Sequence, residues 1–150
     1  MTAADHIRLT VLRANNRLFA LADAAGAKTF MEASGCQPRT CGCVDVFETI
    51  YSFAMGKPAA ALQHAKSVVL DELPAVIGVE TAWAIASASA HAGRISDALT
   101  AVEAGYGVAT RSFDAPQMRF LVVDAHVGAL LLSGRITEAV DVADRLLEGV

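Results

Sequence analysis

The sequence predicts an all-α protein, a right-handed α-solenoid of about four antiparallel helix pairs. A seven-residue segment occurs three times, as GKPAAAL from Gly56, GRISDAL from Gly93 and GRITEAV from Gly134. The glycines lie 37 and 41 residues apart, and a motif with a period near 40 residues is typical of stacked repeats. Apolar residues recur at steps of three and four along the chain, and no stretch shows sustained strand alternation.

Each copy of the segment has the composition of a turn between two packed helices. The glycine is expected to end the first helix, because glycine tolerates the positive φ of a C-terminal cap. The alanine five positions later is expected to pack closely against that helix, and an acidic residue in the first turn suits the helix dipole. These repeat-turn residues are Gly56, Ala61, Gly93, Ala98, Gly134 and Ala139.

A weaker fourth copy precedes the other three. The segment ADAAGAK begins at Ala22, with Ala22 in the glycine position and Ala27 in the alanine position. Its first residue lies 34 positions before Gly56, so the repeat length drifts between units. We place this drift in the loops that join one pair to the next.

Eight helices are therefore expected in one domain over residues 1–150. The breaks between pairs contain Gly or Pro, at 35–42, 71–74 and 112–116, and none is long or polar enough for an interdomain linker. The repeat units cover about 1–35, 42–72, 74–112 and 114–150. The predicted helices are about 5–22 with 24–34, 44–55 with 58–70, 76–92 with 95–110, and 116–133 with 136–148.

Composition and charge exclude several function classes. The chain is 54% hydrophobic and 19% charged, which fits a domain with a sizeable buried core. A net charge of −4 disfavours direct nucleic-acid binding, which needs clustered basic residues. No signal peptide is expected from the N-terminal residues, and charged residues such as Glu80 and Asp124 interrupt the most apolar stretches. These features predict a cytoplasmic protein that does not enter a membrane.

The repeated turn resembles that of the tetratricopeptide repeat, in which helix pairs meet at a glycine with a small residue shortly after it. The aromatic residues that this family carries within its helices are mostly absent here. A more specific resemblance covers RANNRLFALADAAGA from Arg13, HAGRISDALTAVEAGYGVA from His91 and LLLSGRITEAV from Leu130. These segments look like the helical-repeat region of actinobacterial LuxR-type transcriptional regulators.

The resemblance implies a sensory or protein-interaction module without catalytic activity or cofactor. In that family an ATPase core precedes the repeats and a helix-turn-helix domain follows them. Neither a phosphate-binding loop nor a helix-turn-helix is recognisable here, so the chain corresponds to the repeat region. The first helices of the pairs would line a concave face for a protein partner. Self-association through solenoid ends is the alternative, because Val142, Leu146 and Leu147 are expected to be partly uncovered.

A cysteine cluster offers a different function. Cys36, Cys41 and Cys43 lie within eight residues, and three thiols at this spacing suit a soft metal ion or a redox sensor. A zinc site would need a fourth ligand, for which His6, His64, Asp45 and a residue of a partner are candidates. We favour a loop with incidental, reduced cysteines and no metal, and keep a metal or thiol sensor and a small-ligand-binding domain as alternatives.

The first predicted helix carries three arginines. Arg13 and Arg17 share a face by their i, i+4 spacing, and Arg8 precedes them. A solvated helix face is the simplest interpretation of this pattern. The main alternative is that Arg8, Arg13 and Arg17 form a docking patch for an acidic partner.

Overall fold

A computed structural model describes residues 3–35, 42–111 and 116–148. In that part of the chain all regular structure is helical, with eight α-helices and no strand, which confirms the predicted all-α class. The helices are α1 (Ala3–Asn15), α2 (Ala24–Ala33), α3 (Cys43–Ala54), α4 (Pro58–His64), α5 (Ala75–His91), α6 (Ile95–Thr110), α7 (Arg119–Leu132) and α8 (Ile136–Glu148).

The helices belong to two compact units, Met1–Val69 and Leu70–Val150. In the first unit, α1 packs against α2 and α3, and α3 packs against α4. Phe47 and Ile50 of α3 are fully buried, as is Val11 of α1. The ammonium of Lys28 on α2 pairs with the carboxylate of Glu48 on α3. Two helix hairpins thus share one small apolar core.

In the second unit, α5 packs against α6 and α7, α6 packs against α7, and α7 packs against α8. Small side chains let these helices approach closely. A Cβ atom added at Gly105 of α6 would lie 3.1 Å from the Cβ of Ala82 and 3.1 Å from Cγ2 of Val122. Gly105 therefore fills a position where three helices meet without room for a side chain.

The three glycine turns share one backbone geometry. Gly56, Gly93 and Gly134 have φ values of 70°, 73° and 79°, in the left-handed region that favours glycine. The residue after each glycine donates its N–H to the carbonyl five positions earlier, which is the 6→1 bond of a Schellman motif. These N···O distances are 2.8 Å for Lys57–Ser52, 2.8 Å for Arg94–Ser89 and 2.9 Å for Arg135–Leu130.

The second helix of each hairpin begins directly after the repeated basic residue. The carbonyls of Lys57, Arg94 and Arg135 accept the N–H of the repeated alanine at 3.1, 3.0 and 3.1 Å, and these alanines are buried. The basic and acidic positions of the repeat also interact with each other. The Nε atom of Arg94 donates to Asp97 at 2.7 Å, and the Nε atom of Arg135 donates to Glu138 at 2.7 Å.

The first hairpin uses a variant of the same turn. Ala22 has φ of 51° and is the only described residue other than glycine with a positive φ. Ala27 is fully buried, and its N–H donates to the carbonyl of Asp23 at 2.9 Å. The N–H of Asp23 bonds to the carbonyl of Arg17, six positions earlier, at 2.8 Å. This bond spans one residue more than the corresponding bond of the glycine turns. The additional residue is accommodated by a π-helical segment, Asn16–Ala20, at the end of the first helix.

Two helix ends differ from the predicted ones by more residues than the others do. The first helix is α-helical only to Asn15, because the π-helical turn replaces its last residues. The helix predicted over 58–70 ends at His64 and continues as a 3-10 turn, Ala65–Ser67. The Ser67 hydroxyl donates to the carbonyl of His64 at 3.1 Å, and such local bonds compete with the helical ladder.

The turn residues with a positive φ lead to two opposite predictions about stability. Replacing Ala22 with glycine should raise the free energy of unfolding by about 1 kcal/mol, because it removes a strained Cβ. Replacing Gly93 with alanine should lower it by about 1–2 kcal/mol for the same reason. Gly128→Ala in α7 is the control, where an added Cβ meets nothing within 4 Å and should stabilise by up to about 1 kcal/mol. Urea denaturation measures all three variants, and equal effects for Gly93→Ala and Gly128→Ala would contradict the prediction.

Candidate protein-interaction site

A groove of about 510 Å³ runs beside α1 in the first unit. Four apolar side chains and three polar ones line it, from α1, the π-helical segment, its C-terminal neighbour and α2. We call this set the α1 groove; its residues are Leu9, Leu12, Arg13, Asn16, Arg17, Leu21 and Phe30.

Large apolar side chains in the α1 groove are open to solvent. Leu9 is 44% exposed and Leu21 is 64% exposed. A second depression is lined by Asp5, Arg8, Leu9 and Leu12, so the concave surface continues along α1 towards its N-terminus. Clustered exposed apolar side chains rimmed by polar ones are typical of interaction surfaces.

The three arginines of the sequence analysis lie along this surface. Arg13 makes no ion pair with any described residue and lines the α1 groove, whereas Arg8 lines the second depression. Nη1 of Arg17 lies 3.4 Å from Oδ2 of Asp23, in an exposed pair. The Arg17 guanidinium carbon also lies 5.8 Å from the ring centroid of Phe30. The groove therefore combines an apolar floor with basic side chains.

Sequence analysis gave Arg8, Arg13 and Arg17 as a docking patch only as the alternative to a solvated helix face, and it did not single out the apolar side chains beside them. Leu9 and Leu12 precede Arg13 and Asn16 by four positions, so their shared face was readable from helical spacing. The positions of Leu21 and Phe30 could not be predicted in this way, because the π-helical turn determines where Leu21 lies and Phe30 belongs to α2. Such single π-helical turns are frequent at functional sites.

Only one cysteine of the predicted cluster lies among the described residues. Cys36 and Cys41 lie outside them. Cys43 begins α3, is fully buried and is disulfide-bonded, so the expectation of reduced thiols is wrong for this residue. A sulfur in a disulfide has no thiolate, and in this state Cys43 neither ligates a metal nor attacks a substrate.

Two of the proposed zinc ligands interact with each other. Nδ1 of His64 lies 3.8 Å from Oδ1 of Asp45, which joins α4 to α3. Over residues 3–35, 42–111 and 116–148, no group of three or more His, Cys, Asp or Glu side chains is arranged to hold a metal ion.

The last helix exposes an apolar stripe. Ile136, Val140 and Leu147 of α8 are 63%, 51% and 74% exposed. Val142 and Leu146, also expected to be partly uncovered, are half-buried and line a separate pocket in the second unit. Of the three residues considered for an uncovered end, Leu147 alone is exposed.

None of the helices in the described segments is long and apolar enough to cross a bilayer. Comparison of the chain with family models, with curated proteins and with solved structures found no match.

Proposed function

We propose that this chain is a non-catalytic protein-interaction module, similar in role to the repeat region of a LuxR-type transcriptional regulator. Its α1 groove would bind an amphipathic helix with acidic side chains from a protein partner. The observation that carries this proposal is the solvent-exposed apolar floor of the groove beside Arg13 and Arg17. The solenoid arrangement and the cytoplasmic location stay predictions.

The dimensions of the surface suit a helical ligand. From Asp5 to Arg17 the chain rises by about 18 Å at 1.5 Å per residue, which matches about three turns of a bound helix. A helix in such a groove places apolar side chains at i, i+3, i+4 and i+7 against the floor. Leu9 and Leu12, shared by both depressions, would contact the middle of that apolar face.

The charges of the α1 groove favour an acidic ligand. Arg13 has no ion-pair partner among the described residues, so a ligand carboxylate would not have to displace one. The Arg17–Asp23 pair is exposed and its 3.4 Å contact is long, and such pairs contribute little to stability. Arg17 is therefore available to exchange Asp23 for a carboxylate of the partner.

A pair of designed peptides tests the proposal. Each has about 18 residues with leucine at the helix-binding positions, one with glutamate and the other with lysine at the remaining positions. We expect fluorescence anisotropy to show preferred binding of the glutamate peptide. The Arg13→Glu/Arg17→Glu variant should weaken that binding at least about tenfold and strengthen binding of the lysine peptide.

The control variant is Lys57→Glu/Lys66→Glu, which makes the same change in net charge in the same unit. Both lysines are exposed and lie outside the α1 groove. Equal loss of affinity in this variant would show that net charge alone controls binding, and the proposal would be wrong. Circular dichroism of every variant separates loss of binding from loss of folding.

Self-association is a second candidate, favoured by the exposed stripe of Ile136, Val140 and Leu147 on α8. One apolar patch can pair with its own copy around a two-fold axis. Light scattering behind a sizing column should then give a mass that rises with concentration in the wild type and stays monomeric in Val140→Glu. A monomer at all concentrations would overturn this candidate and leave the α1 groove as the interaction site.

A further inference from the structure

The second unit contains a pocket of about 300 Å³ formed by three of its helices. Residues at i, i+4 and i+7 of α7 form one wall, residues at i, i+3 and i+4 of α8 form another, and α6 adds one side chain. We call it the Tyr106 pocket; its residues are Tyr106, Arg119, Val123, His126, Val142, Arg145 and Leu146.

The arginines of the pocket differ from the other arginines of this unit. Arg94, Arg111 and Arg135 each pair with a nearby carboxylate, on Asp97, Asp71 and Glu138 respectively. In contrast, Arg119 and Arg145 form no hydrogen bond or ion pair with any described residue, and both line the pocket. Two guanidinium groups facing one cavity without carboxylate partners provide ten N–H donors for an anion.

A tyrosine and a histidine complete the polar side. Oη of Tyr106 lies 3.4 Å from Nδ1 of His126, and the rings meet edge to face at 6.0 Å. Burial raises the pKa of Tyr106, so its hydroxyl keeps its proton. Burial lowers the pKa of His126 below its ordinary value, with help from Arg135 and Arg145, so the imidazole is neutral at neutral pH.

We propose that the Tyr106 pocket binds a small organic anion with an apolar body. The anionic head would lie between Arg119 and Arg145, where charge-assisted hydrogen bonds are strongest. The apolar body would contact Val123, Val142 and Leu146. A volume of about 300 Å³ is at the lower end for ligand pockets, which fits a ligand with a single ring. This proposal is independent of the α1 groove, which lies in the other unit.

NMR titration of the ¹⁵N-labelled full chain tests the site with defined probes. Benzoate, phenyl phosphate and benzyl alcohol share a ring and differ in the head group. We expect the two anions to shift the amide resonances of pocket residues in a saturable way, and benzyl alcohol to bind at least about tenfold more weakly. The anion with the higher affinity identifies a carboxylate or a phosphate as the preferred head. Equal binding of all three probes would overturn the proposal.

Variants separate the site from adventitious binding. Arg119→Gln and Arg145→Gln should each weaken the preferred anion at least about tenfold, because each removes one guanidinium. Arg94→Gln is the matched control, since Arg94 lies at an exposed turn and pairs with Asp97. Unchanged affinity in both pocket variants, with native circular dichroism, would show that the anion binds elsewhere.

The histidine adds a pH signature. A bound anion favours the imidazolium form of His126, so binding takes up a proton and affinity should rise as pH falls from about 7.5 to about 5.5. With benzoate as the probe, whose carboxylate stays ionised over this range, we expect a rise of about threefold or more in the wild type and a flat profile in His126→Gln. The same slope in both proteins would exclude His126 from the site. The charged groups that act on His126 are Arg135, Arg145, Glu103 and Glu138.

Discussion

Replacing Phe47 with alanine lowers the free energy of unfolding of the first unit by about 3–5 kcal/mol. Phe47 is fully buried, and its ring centroid lies 5.3 Å from that of Tyr51. Val46 and Ile50 on the same helix are buried as well, so the surroundings cannot collapse fully into the space that the ring leaves. The variant therefore loses both the transfer free energy of the ring and the contacts along the new cavity.

Urea denaturation followed by far-UV circular dichroism measures this loss. Phe120→Ala is the matched control, because Phe120 lies on α7 and is 53% exposed, and it should change stability by less than about 0.5 kcal/mol. The fluorescence of Trp83, the only tryptophan of the chain, follows the second unit in the same samples. Similar losses in the two phenylalanine variants would mean that Phe47 is not the core residue described above.

Replacing Gly105 with leucine destabilises the second unit by about 1–3 kcal/mol or more. The first added carbon would already lie 3.1 Å from Ala82 and from Val122, so the neighbouring helices have to move apart. The gain in helix propensity of about 1 kcal/mol on replacing a helical glycine offsets only part of this cost. The free energy of unfolding therefore falls, because the cost of overpacking exceeds the gain in helix propensity.

The control lies two residues away on the same helix. An atom added at Gly107 meets nothing within 4 Å, so Gly107→Leu should stabilise the unit by up to about 1 kcal/mol through helix propensity. The thermal or urea midpoint, read from Trp83 fluorescence, should thus move in opposite directions for the two variants. A shift in the same direction for both would contradict the close contact at Gly105.

The hairpin turns could be predicted from the sequence because the residues that determine each turn lie close together in the chain. A positive φ at Gly93 and a buried Ala98 depend on residues only a few positions apart, and the same frame located Ala22 and Ala27. The π-helical turn before Ala22 could not be predicted from the sequence, because it adds one residue to a helix without a change in the spacing of apolar residues. Local patterns therefore identified the hairpins but not the length of the first helix.

The two sites differ in how far apart in the sequence their residues lie, and therefore in how much of each could be predicted. Of the α1 groove, only Arg13 and Arg17 share a helix face that the sequence shows, whereas Phe30 comes from the next helix. The Tyr106 pocket was missed, because its residues come from three helices and span forty positions of the chain. Tyr106 and His126 lie twenty positions apart, and nothing in that spacing indicates that their side chains meet. Only packing of α6, α7 and α8 brings them within 3.4 Å.

The Schellman turns also bear on how fast the chain folds. Each turn is closed by a bond between residues five positions apart, as from Arg94 to Ser89, and the paired helices follow one another directly in sequence. Chain closure over so few residues costs little entropy, and proteins with mainly local contacts fold in microseconds to milliseconds. Each hairpin is thus a short, self-contained segment that can form its own contacts while the rest of the chain is still being synthesised.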